Sequence, residues 1–284
     1  MPRKILGVIP ARFASTRFPG KVLAPLAGKT VLQHVWERAS QARYLSSTII
    51  ATDDEQVFAA AREFGARIRM TRGDHLSGTD RVAEIASAEN ADIIVNIQGD
   101  EPLIEPDAID AAILPVVHDD EIVMATLKKR IRHPAEITNP NVVKVVTDHH
   151  GDAIYFSRCP IPFDRDQAGA APYFKHIGLY VYQRDFLLNY SALPVGPLES
   201  AEKLEQLRAL ENGYRIRVTE TEYEAFGIDT PRDLEFVAKL FDVGRVGLPA
   251  CPPEANTSPN RVTGADAPGQ ARRPTLQKQE VPHG

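Results

Sequence analysis

The segment V-I-P-A-R-F-A-S-T-R-F-P-G-K runs from Val8 to Lys21, and the apolar run Ile5 to Ile9 that leads into it predicts a buried β-strand. Pro19 and Gly20 stop any helix that the residues from Ala11 to Phe18 would otherwise form. We therefore expect an irregular loop after the strand. A strand that opens into such a loop is typical of an α/β sheet that binds ligands at the carboxyl ends of its strands.

The loop is rich in cations and hydroxyl groups. A loop that leaves a strand can direct backbone N–H groups at phosphate oxygens, while arginine adds a planar fork and lysine a point charge. The composition favours a polyanion such as a triphosphate, although the loop has neither the G-x-x-x-x-G-K-[ST] nor the G-x-G-x-x-G pattern. For this motif alone, a solvated basic turn remains the alternative. The side chains concerned are Arg12, Ser15, Thr16, Arg17 and Lys21.

The composition of the whole chain limits its possible functions. The 284 residues are 43% hydrophobic and carry a formal net charge of -5. This is enough for one large α/β domain or two small ones, and it excludes a generally basic surface for nucleic acid. The two cysteines, Cys159 and Cys251, indicate neither a disulfide framework nor a Cys-ligated metal. No apolar run approaches the ~20 residues of a membrane span, so we expect a cytoplasmic protein that does not contact a membrane.

The alternation of strand-like and helix-like periodicity predicts an α/β fold with a mainly parallel sheet and helices on both faces. Thr30 is the expected N-cap of the first helix, and the continuous apolar run Ala91 to Ile97 indicates a central strand that is buried on both faces. The other expected strands are Thr48–Ala51, Ala66–Met70, Ile122–Leu127 and Ile216–Thr219, and the expected helices are Val31–Ala42, Gln56–Phe64, one from Thr79, Pro106–Val117, Leu198–Leu210 and Pro231–Phe241.

A second candidate site, Q-G-D-E-P, follows the central strand from Gln98 to Pro102. Asp100 is suited to be a ligand of Mg²⁺, which takes one or two carboxylates and completes its octahedron with phosphate oxygens and water. Gly99 allows a tight turn at this point. A plain polar turn is the alternative, since Gly, Asp and Pro are common turn residues.

The composition changes between residues 130 and 190, where short strand-like runs separated by Pro, Asn, Asp and Gly predict an antiparallel β region inserted into the sheet. We expect this region to shape a second pocket. Its cations suit an acidic co-substrate, although basic residues on strand edges often only keep those edges soluble. They are Lys144, Arg158, Arg165, Lys175 and His176.

The C-terminal part contains one more candidate carboxylate and a tail. Asp229 stands just before the last helix, with Thr230 as its cap and Pro231 at its first position. From residue 246 to 284 the chain has no aromatic residue and is rich in Pro, Gly, Ala and Thr, a composition that predicts disorder. We expect a single domain over residues 1–245 and a disordered tail.

Eight motifs in this order resemble the 3-deoxy-manno-octulosonate (Kdo) cytidylyltransferase family, and the resemblance extends from about Lys4 to Leu240. It implies a nucleotide-diphospho-sugar-transferase-like, Rossmann-like fold with three α/β/α layers. It also implies Mg²⁺-dependent transfer of CMP from CTP to the anomeric 2-hydroxyl of Kdo, for lipopolysaccharide biosynthesis, by a homodimer. The motifs are P-A-R-F-A-S-T-R-F-P-G-K, S-G-T-D-R, Q-G-D-E-P, N-P-N-V-V-K-V-V, Y-F-S-R, K-H-I-G-L-Y, L-E-Q-L-R and I-D-T-P-R-D-L.

The same resemblance assigns roles to individual residues. Arg12, Lys21, Asp100 and Asp229 form the implied catalytic set, in which the two aspartates hold the metal. The implied CTP-binding residues are Arg12, Ser15, Arg17 and Lys21 at the phosphates and Ser77 and Arg81 near the cytidine; the implied sugar-binding residues are Gln98, Arg158, Arg165, His176, Tyr180 and Glu205.

Two other functions remain open at this point. The CTP-side motifs would also serve a cytidylyltransferase for another acidic sugar, either a sialic acid or an 8-amino relative of Kdo. A non-catalytic nucleotide-binding protein is the third possibility, but both metal carboxylates and all three loop cations are present. Gln98, His176 and Glu205 favour Kdo among the sugars.

Overall fold

A computed structural model describes residues 3–75, 77–166 and 171–242 of the chain. The strands are β1 (Ile5–Pro10), β2 (Pro25–Leu26), β3 (Lys29–Thr30), β4 (Ser47–Thr52), β5 (Ile68–Met70), β6 (Ile93–Asn96), β7 (Met124–Arg130), β8 (Lys144–Thr147), β9 (Ala153–Ser157), β10 (Phe174–Gln183) and β11 (Ile216–Glu220). The helices are α1 (Val31–Ala39), α2 (Glu55–Glu63), α3 (Gly78–Ala88), α4 (Pro106–His118), α5 (Pro134–Thr138), α6 (Arg184–Tyr190), α7 (Pro197–Glu202), α8 (Leu207–Glu211) and α9 (Pro231–Asp242), with a 3-10 turn at Lys21–Leu23.

The main sheet has the strand order β11-β7-β10-β6-β1-β4-β5. Neighbours in the β6-β1-β4-β5 half are parallel, and so are β11 and β7, whereas β10 runs antiparallel to both β6 and β7. The expected inserted region supplies β10 to the centre of this sheet. Its other strands, β8 and β9, form a hairpin that joins one end of β10 through the pair Lys144 and Lys175.

Helices cover both faces of the sheet, which confirms the expected fold class. Alternate residues of β1 face opposite ways, as the two-residue period of a strand requires. Ile5 and Ile9 pack with α1, α2 and α4, whereas Leu6 and Val8 pack with α3, α6 and α8. A smaller cluster of buried apolar residues packs α9 against the segment that follows the 3-10 turn. The predicted caps also form: Thr30 accepts from the Gln33 N–H, and Thr230 accepts from the Asp233 N–H.

The expected helix from Leu198 to Leu210 is wrong, because the chain breaks there into α7 and α8. Lys203 adopts a left-handed conformation (φ 54°, ψ 46°) and its N–H donates to the Glu199 carbonyl, which ends α7. Buried contacts of Leu204 and a paired Arg208–Glu199 interaction compensate the strain. The predicted tail, 246–284, lies outside the described residues, so the expected domain division stays a prediction.

Candidate active site

The loop after β1 is closed by a contact at a glycine with a left-handed backbone conformation. The Gly20 N–H donates to the Phe13 carbonyl at 2.8 Å, and Gly20 has φ +71°. A Cβ at this position would lie 3.0 Å from the Phe13 ring. Gly20 therefore allows the chain to fold over Phe13 and to begin the 3-10 turn at Lys21, with the lysine next to the carboxyl end of β1.

A second glycine brings the turn after β6 against the same strand. A Cβ on Gly99 would lie 2.7 Å from the Pro10 carbonyl oxygen, closer than a side chain tolerates. Residues 98–100 can therefore lie directly beside the end of β1. The Asp100 carbonyl accepts from the Ile228 N–H at 3.0 Å, which attaches the segment before α9 to this turn. Three segments distant in sequence meet here.

Two of the predicted carboxylates converge on one predicted cation. Lys21 Nζ donates to Asp100 Oδ2 at 2.5 Å and to Asp229 Oδ1 at 2.8 Å, while Arg17 pairs with Asp229 Oδ2 at 2.8 Å. Burial opposes the charge of Lys21, but the carboxylates of Asp100 and Asp229 outweigh it and raise the pKa of Lys21. Burial likewise opposes ionisation of Asp229, whose pKa is nevertheless lowered by Lys21 and Arg17. The site is a compact ionised cluster.

The same geometry fits a small, hard cation. Oxygens of both carboxylates lie within reach of a single point, which Lys21 Nζ marks. Among the described residues no group of three or more His, Cys, Asp or Glu side chains is placed to hold a metal. Mg²⁺ does not need such a group, since it is commonly held by one or two carboxylates together with substrate phosphates and water. The donor set therefore suits a metal that arrives with a phosphorylated ligand.

A cavity of about 350 Å³ opens beside this cluster. Arg12 donates from Nη2 to the carbonyl oxygens of His75 and Ser77, at 2.7 and 3.1 Å, and is thereby fixed against the start of α3. Most of the predicted CTP-side residues lie in the wall of this cavity, as does Gln98 from the predicted sugar set. The lining includes Arg12, Ser15, Thr16, Lys21, Ser77, Gln98 and Asp100.

Arg81 lies outside this wall. Its side chain is 0% exposed, and it donates to the Asp53 carboxylate at 2.7 Å and to the Thr71 hydroxyl. Its Nε has no partner among the described residues. Arg81 thus connects α3 to the segments after β4 and β5, and its predicted position next to a cytidine stays a prediction.

The other predicted sugar residues gather along β10 and near the start of α3. The His176 and Tyr180 rings are 5.4 Å apart, and His176 Nε2 lies 2.9 Å from the Thr126 hydroxyl. Burial lowers the pKa of His176 to about 3, so this ring is neutral at physiological pH. Gln98 donates to the Gly178 carbonyl at 3.0 Å, which links β10 to the cavity. Glu205 stands in the turn between α7 and α8.

The predicted arginines of the sugar set are farther from this group. The Arg158 guanidinium donates to the carbonyl oxygens of Glu202 and Pro140 at 2.7 and 3.0 Å, and Arg165 is exposed. Neither residue lines the cavity. Their roles toward a sugar carboxylate stay predictions.

Two of the cations expected in the second pocket are buried and paired with other groups of the protein. Lys144 is 0% exposed and donates to the carbonyl oxygens of Asn139 and Val142. Lys175 is neutralised by Glu136, at 2.6 Å, and by Glu224. Both ammonium groups therefore serve the inserted β region itself, because a buried charge needs such partners.

One polar pair next to the cluster was missed by the sequence interpretation. The Tyr223 hydroxyl donates to Glu101 Oε2 at 3.0 Å. Burial, aided by the charge of Asp100, raises the pKa of Glu101 to about 7. Glu101 belongs to the Q-G-D-E-P motif, but its tyrosine partner is 122 positions away, so no local pattern pointed to the pair.

A larger cavity, of about 910 Å³, lies at the opposite, amino ends of β1 and β6. The two arginines of its lining are already paired within the protein: Arg3 with Asp120, and Arg184 with backbone carbonyls of α3. Nothing in its lining resembles the convergent cluster at the other end of the sheet. The smaller cavity is therefore the candidate active site.

Comparison with known proteins shows which family this chain is similar to. A sequence model described as cytidylyltransferase matches residues 6–216. Two relatives, both named 3-deoxy-manno-octulosonate cytidylyltransferase, come from Solibacter usitatus (strain Ellin6076) and Geobacter metallireducens (strain ATCC 53774 / DSM 7210 / GS-15). The first is 78% identical over 85% of this chain and 96% of its own, and the second is 56% identical over 83% and 97%.

Among solved structures, one described as CMP:2-keto-3-deoxy-manno-octonic acid synthetase complexed with CTP superimposes with a TM-score of 0.82. It is 45% identical to this chain and covers 84% of it and 99% of its own length. The similarity therefore extends over most of the chain.

Proposed function

The chain belongs to the 3-deoxy-manno-octulosonate cytidylyltransferase family, and from this membership we infer that it transfers CMP from CTP to Kdo. The products are CMP-Kdo and diphosphate, and the reaction activates the sugar for lipopolysaccharide biosynthesis. The observation that carries this conclusion is the 78% identity across nearly the full length of a relative with that name. The cluster at the carboxyl ends of β1 and β6 is the place where the chemistry fits.

We assign the triphosphate of CTP to the cations of the β1 loop. In the reaction the sugar 2-hydroxyl oxygen bonds to the α-phosphorus and releases its proton to solvent, and the bond from that phosphorus to the diphosphate oxygen breaks. Negative charge builds up on the departing diphosphate, so fixed cations stabilise the transition state more than the ground state. Lys21 and Arg12 are held by hydrogen bonds at the cavity, which supports their role in positioning and charge stabilisation.

Asp100 and Asp229 are the residues that would hold Mg²⁺. Bound there, the metal would act as a Lewis acid that offsets phosphate charge. Each carboxylate also accepts a hydrogen bond from Lys21 Nζ, which holds the ammonium group at this point until a metal takes its place. Arg17 contributes by neutralising the second oxygen of Asp229.

For Kdo we propose the group formed by Gln98, His176, Tyr180 and Glu205. A neutral His176 offers a hydrogen-bonding nitrogen without adding charge, which suits sugar hydroxyls. Arg158 and Arg165 remain the proposed partners of the sugar carboxylate, because arginine binds carboxylates through two parallel hydrogen bonds. For Arg158 this requires exchange of the carbonyl contacts that it makes here.

The assembly and location belong to the same proposal. We propose a homodimer, which is supported by two apolar side chains that stand exposed on the inserted β region: Ile154 (62%) and Phe163 (83%). We propose the cytoplasm as the location, because CTP is a cytoplasmic nucleotide and the exposed Cys159 is a free thiol. Within the described ranges, no helix is both long and apolar enough to cross a membrane.

Diphosphate release from CTP separates this function from its alternatives. The purified protein should release diphosphate rapidly with CTP, Mg²⁺ and Kdo, and at least about a hundredfold more slowly with a sialic acid, because the rejected sugar leaves polar groups of the pocket unpaired. Equal or faster release with the sialic acid would reassign the acceptor. CTP binding without release with any acidic sugar would indicate a non-catalytic nucleotide-binding protein.

A further inference from the structure

Glu205 is held by the first residues of α3. The Ser77 hydroxyl lies 3.3 Å from Glu205 Oε1, and the Thr79 hydroxyl lies 3.1 Å from Glu205 Oε2. Thr79 in α3 and Glu205 in the turn before α8 are 126 positions apart in sequence. Each carboxylate oxygen of Glu205 therefore has its own hydroxyl partner on α3.

The hydroxyls of Ser77 and Thr79 act as hydrogen-bond donors to Glu205. Ser77 Oγ accepts the Asp80 N–H at 3.1 Å as the cap of α3. Burial raises the pKa of Tyr182 well above its usual range, and the nearby Thr79 hydroxyl opposes this shift. Both hydroxyls at the start of α3 donate to Glu205, because a carboxylate only accepts hydrogen bonds.

These two donors favour the ionised form of Glu205. Burial raises the pKa of this carboxyl group, whereas its hydrogen bonds from Thr79 and Ser77 oppose the shift. Each carboxylate oxygen has about two acceptor positions, so one on each oxygen remains for a ligand. Thr79 itself is only 5% exposed and contacts a ligand only through Glu205.

We propose that Thr79 is a positioning residue for the acid sugar, which fixes the Glu205 carboxylate so that its remaining acceptor positions meet sugar hydroxyl groups. This inference rests on the proposed function, in which Glu205 belongs to the sugar site. The start of α3 also serves the other substrate, because the Ser77 carbonyl accepts from Arg12 at the triphosphate side. One helix end thus aligns both halves of the site.

The test compares Thr79→Val, which keeps the shape and removes the hydroxyl, with Thr79→Ser, which keeps the hydroxyl. Hydrogen bonds to charged groups are worth enough that Thr79→Val should raise KM for Kdo by about tenfold, with KM for CTP within twofold of wild type. Thr79→Ser should restore KM for Kdo to within about threefold. Thr79→Ala removes the same hydroxyl and serves if the valine variant does not fold, as judged by its melting temperature.

A double-mutant cycle with Glu205→Gln decides whether Thr79 acts through Glu205. In the Glu205→Gln background, Thr79→Val should change KM for Kdo by less than about twofold, because the carboxylate that it positions is gone. An unchanged KM for Kdo in both hydroxyl-free variants, or the same tenfold loss in the Glu205→Gln background, would overturn the proposal. A wild-type protein that releases no diphosphate from CTP and Kdo would instead refute the proposed function.

Discussion

Substitution of Asp100 should strongly reduce turnover. Its carboxylate accepts from Lys21 at 2.5 Å and is one of the two proposed metal ligands. Asp100→Asn keeps the size of the side chain and removes the charge, so kcat should fall by at least about a hundredfold. The melting temperature should change little, since the side chain stands in a turn and not in the core. Steady-state kinetics at saturating Mg²⁺ and a thermal melt check both parts.

Asp185→Asn is a suitable control, because this exposed carboxylate lies in the first turn of α6 and its nearest cation is Arg184 at 3.7 Å. The control should keep wild-type kcat. Turnover of Asp100→Asn near the wild-type value would exclude Asp100 as a metal ligand.

His176 predicts how stability depends on pH. Its pKa in the folded protein is about 3, compared with 6.5 in an unfolded chain. Between these values the unfolded state binds one more proton at this residue than the folded state. The free energy of unfolding therefore rises with pH through this window. The part of it that depends on His176 is fully present above about pH 6.5 and is progressively lost toward pH 3.

His176→Gln removes this titration and keeps a hydrogen-bonding side chain opposite Thr126. The free energy of unfolding, measured with urea at several pH values between 4 and 6.5, should rise less steeply with pH in the variant. The difference in slope corresponds to up to one proton. The slope above pH 7 should be the same as in wild type. Equal slopes in the acidic window would show that His176 takes up its proton in the folded state.

Among the elements, the turn after β6 depends most strongly on one residue. Gly99→Ala would place a methyl group 2.7 Å from the Pro10 carbonyl, so the turn has to move away from β1 and take Asp100 with it. We expect kcat to fall by at least about tenfold and the free energy of unfolding to fall by about 1–3 kcal/mol. Gly73→Ala is the matched control, since its Cβ would have only an ordinary contact at 4.0 Å. Equal activity of the two variants would contradict the close approach.

The elements also show where sequence patterns succeed and fail. Strand alternation and helical periodicity predicted most of the main sheet and its helices, because the apolar faces are buried on the two sides of one sheet. The pattern failed between Leu198 and Leu210, where a good helical stripe is broken at Lys203. That break depends on tertiary contacts of α7 and α8, which local propensity does not contain.

Some residues of the candidate site are predictable from the sequence, whereas others depend on how distant segments pack. Lys21, Asp100 and Asp229 were predicted together, and the structure brings them together. The burial of Arg81 and Lys144 was not predictable, because their partners are set by how the segments pack. The sequence pattern indicates Thr79 only as the start of a helix, since its contact with Glu205 spans 126 positions of the chain.

The exposed apolar side chains of the inserted β region, Ile154 and Phe163, predict that the protein self-associates. Light scattering at micromolar concentration should give twice the monomer mass of 31.3 kDa. Phe163→Asp, and its combination with Ile154→Asp, should shift the mass toward the monomer, because a charge would be buried in the interface. A wild-type monomer would refute the dimer, and a dimer that survives both changes would move its interface elsewhere.

In the proposed reaction, this fold brings CTP and an acid sugar together so that the sugar hydroxyl takes up the CMP group. Phosphorus NMR of CTP, Mg²⁺ and Kdo with the purified full chain tests it most directly. We predict that the three CTP resonances are replaced by diphosphate and by one phosphodiester whose phosphorus is coupled to the anomeric carbon of ¹³C-labelled Kdo. Unchanged CTP, or CMP with no such coupling, would show that the chain does not join CMP to Kdo.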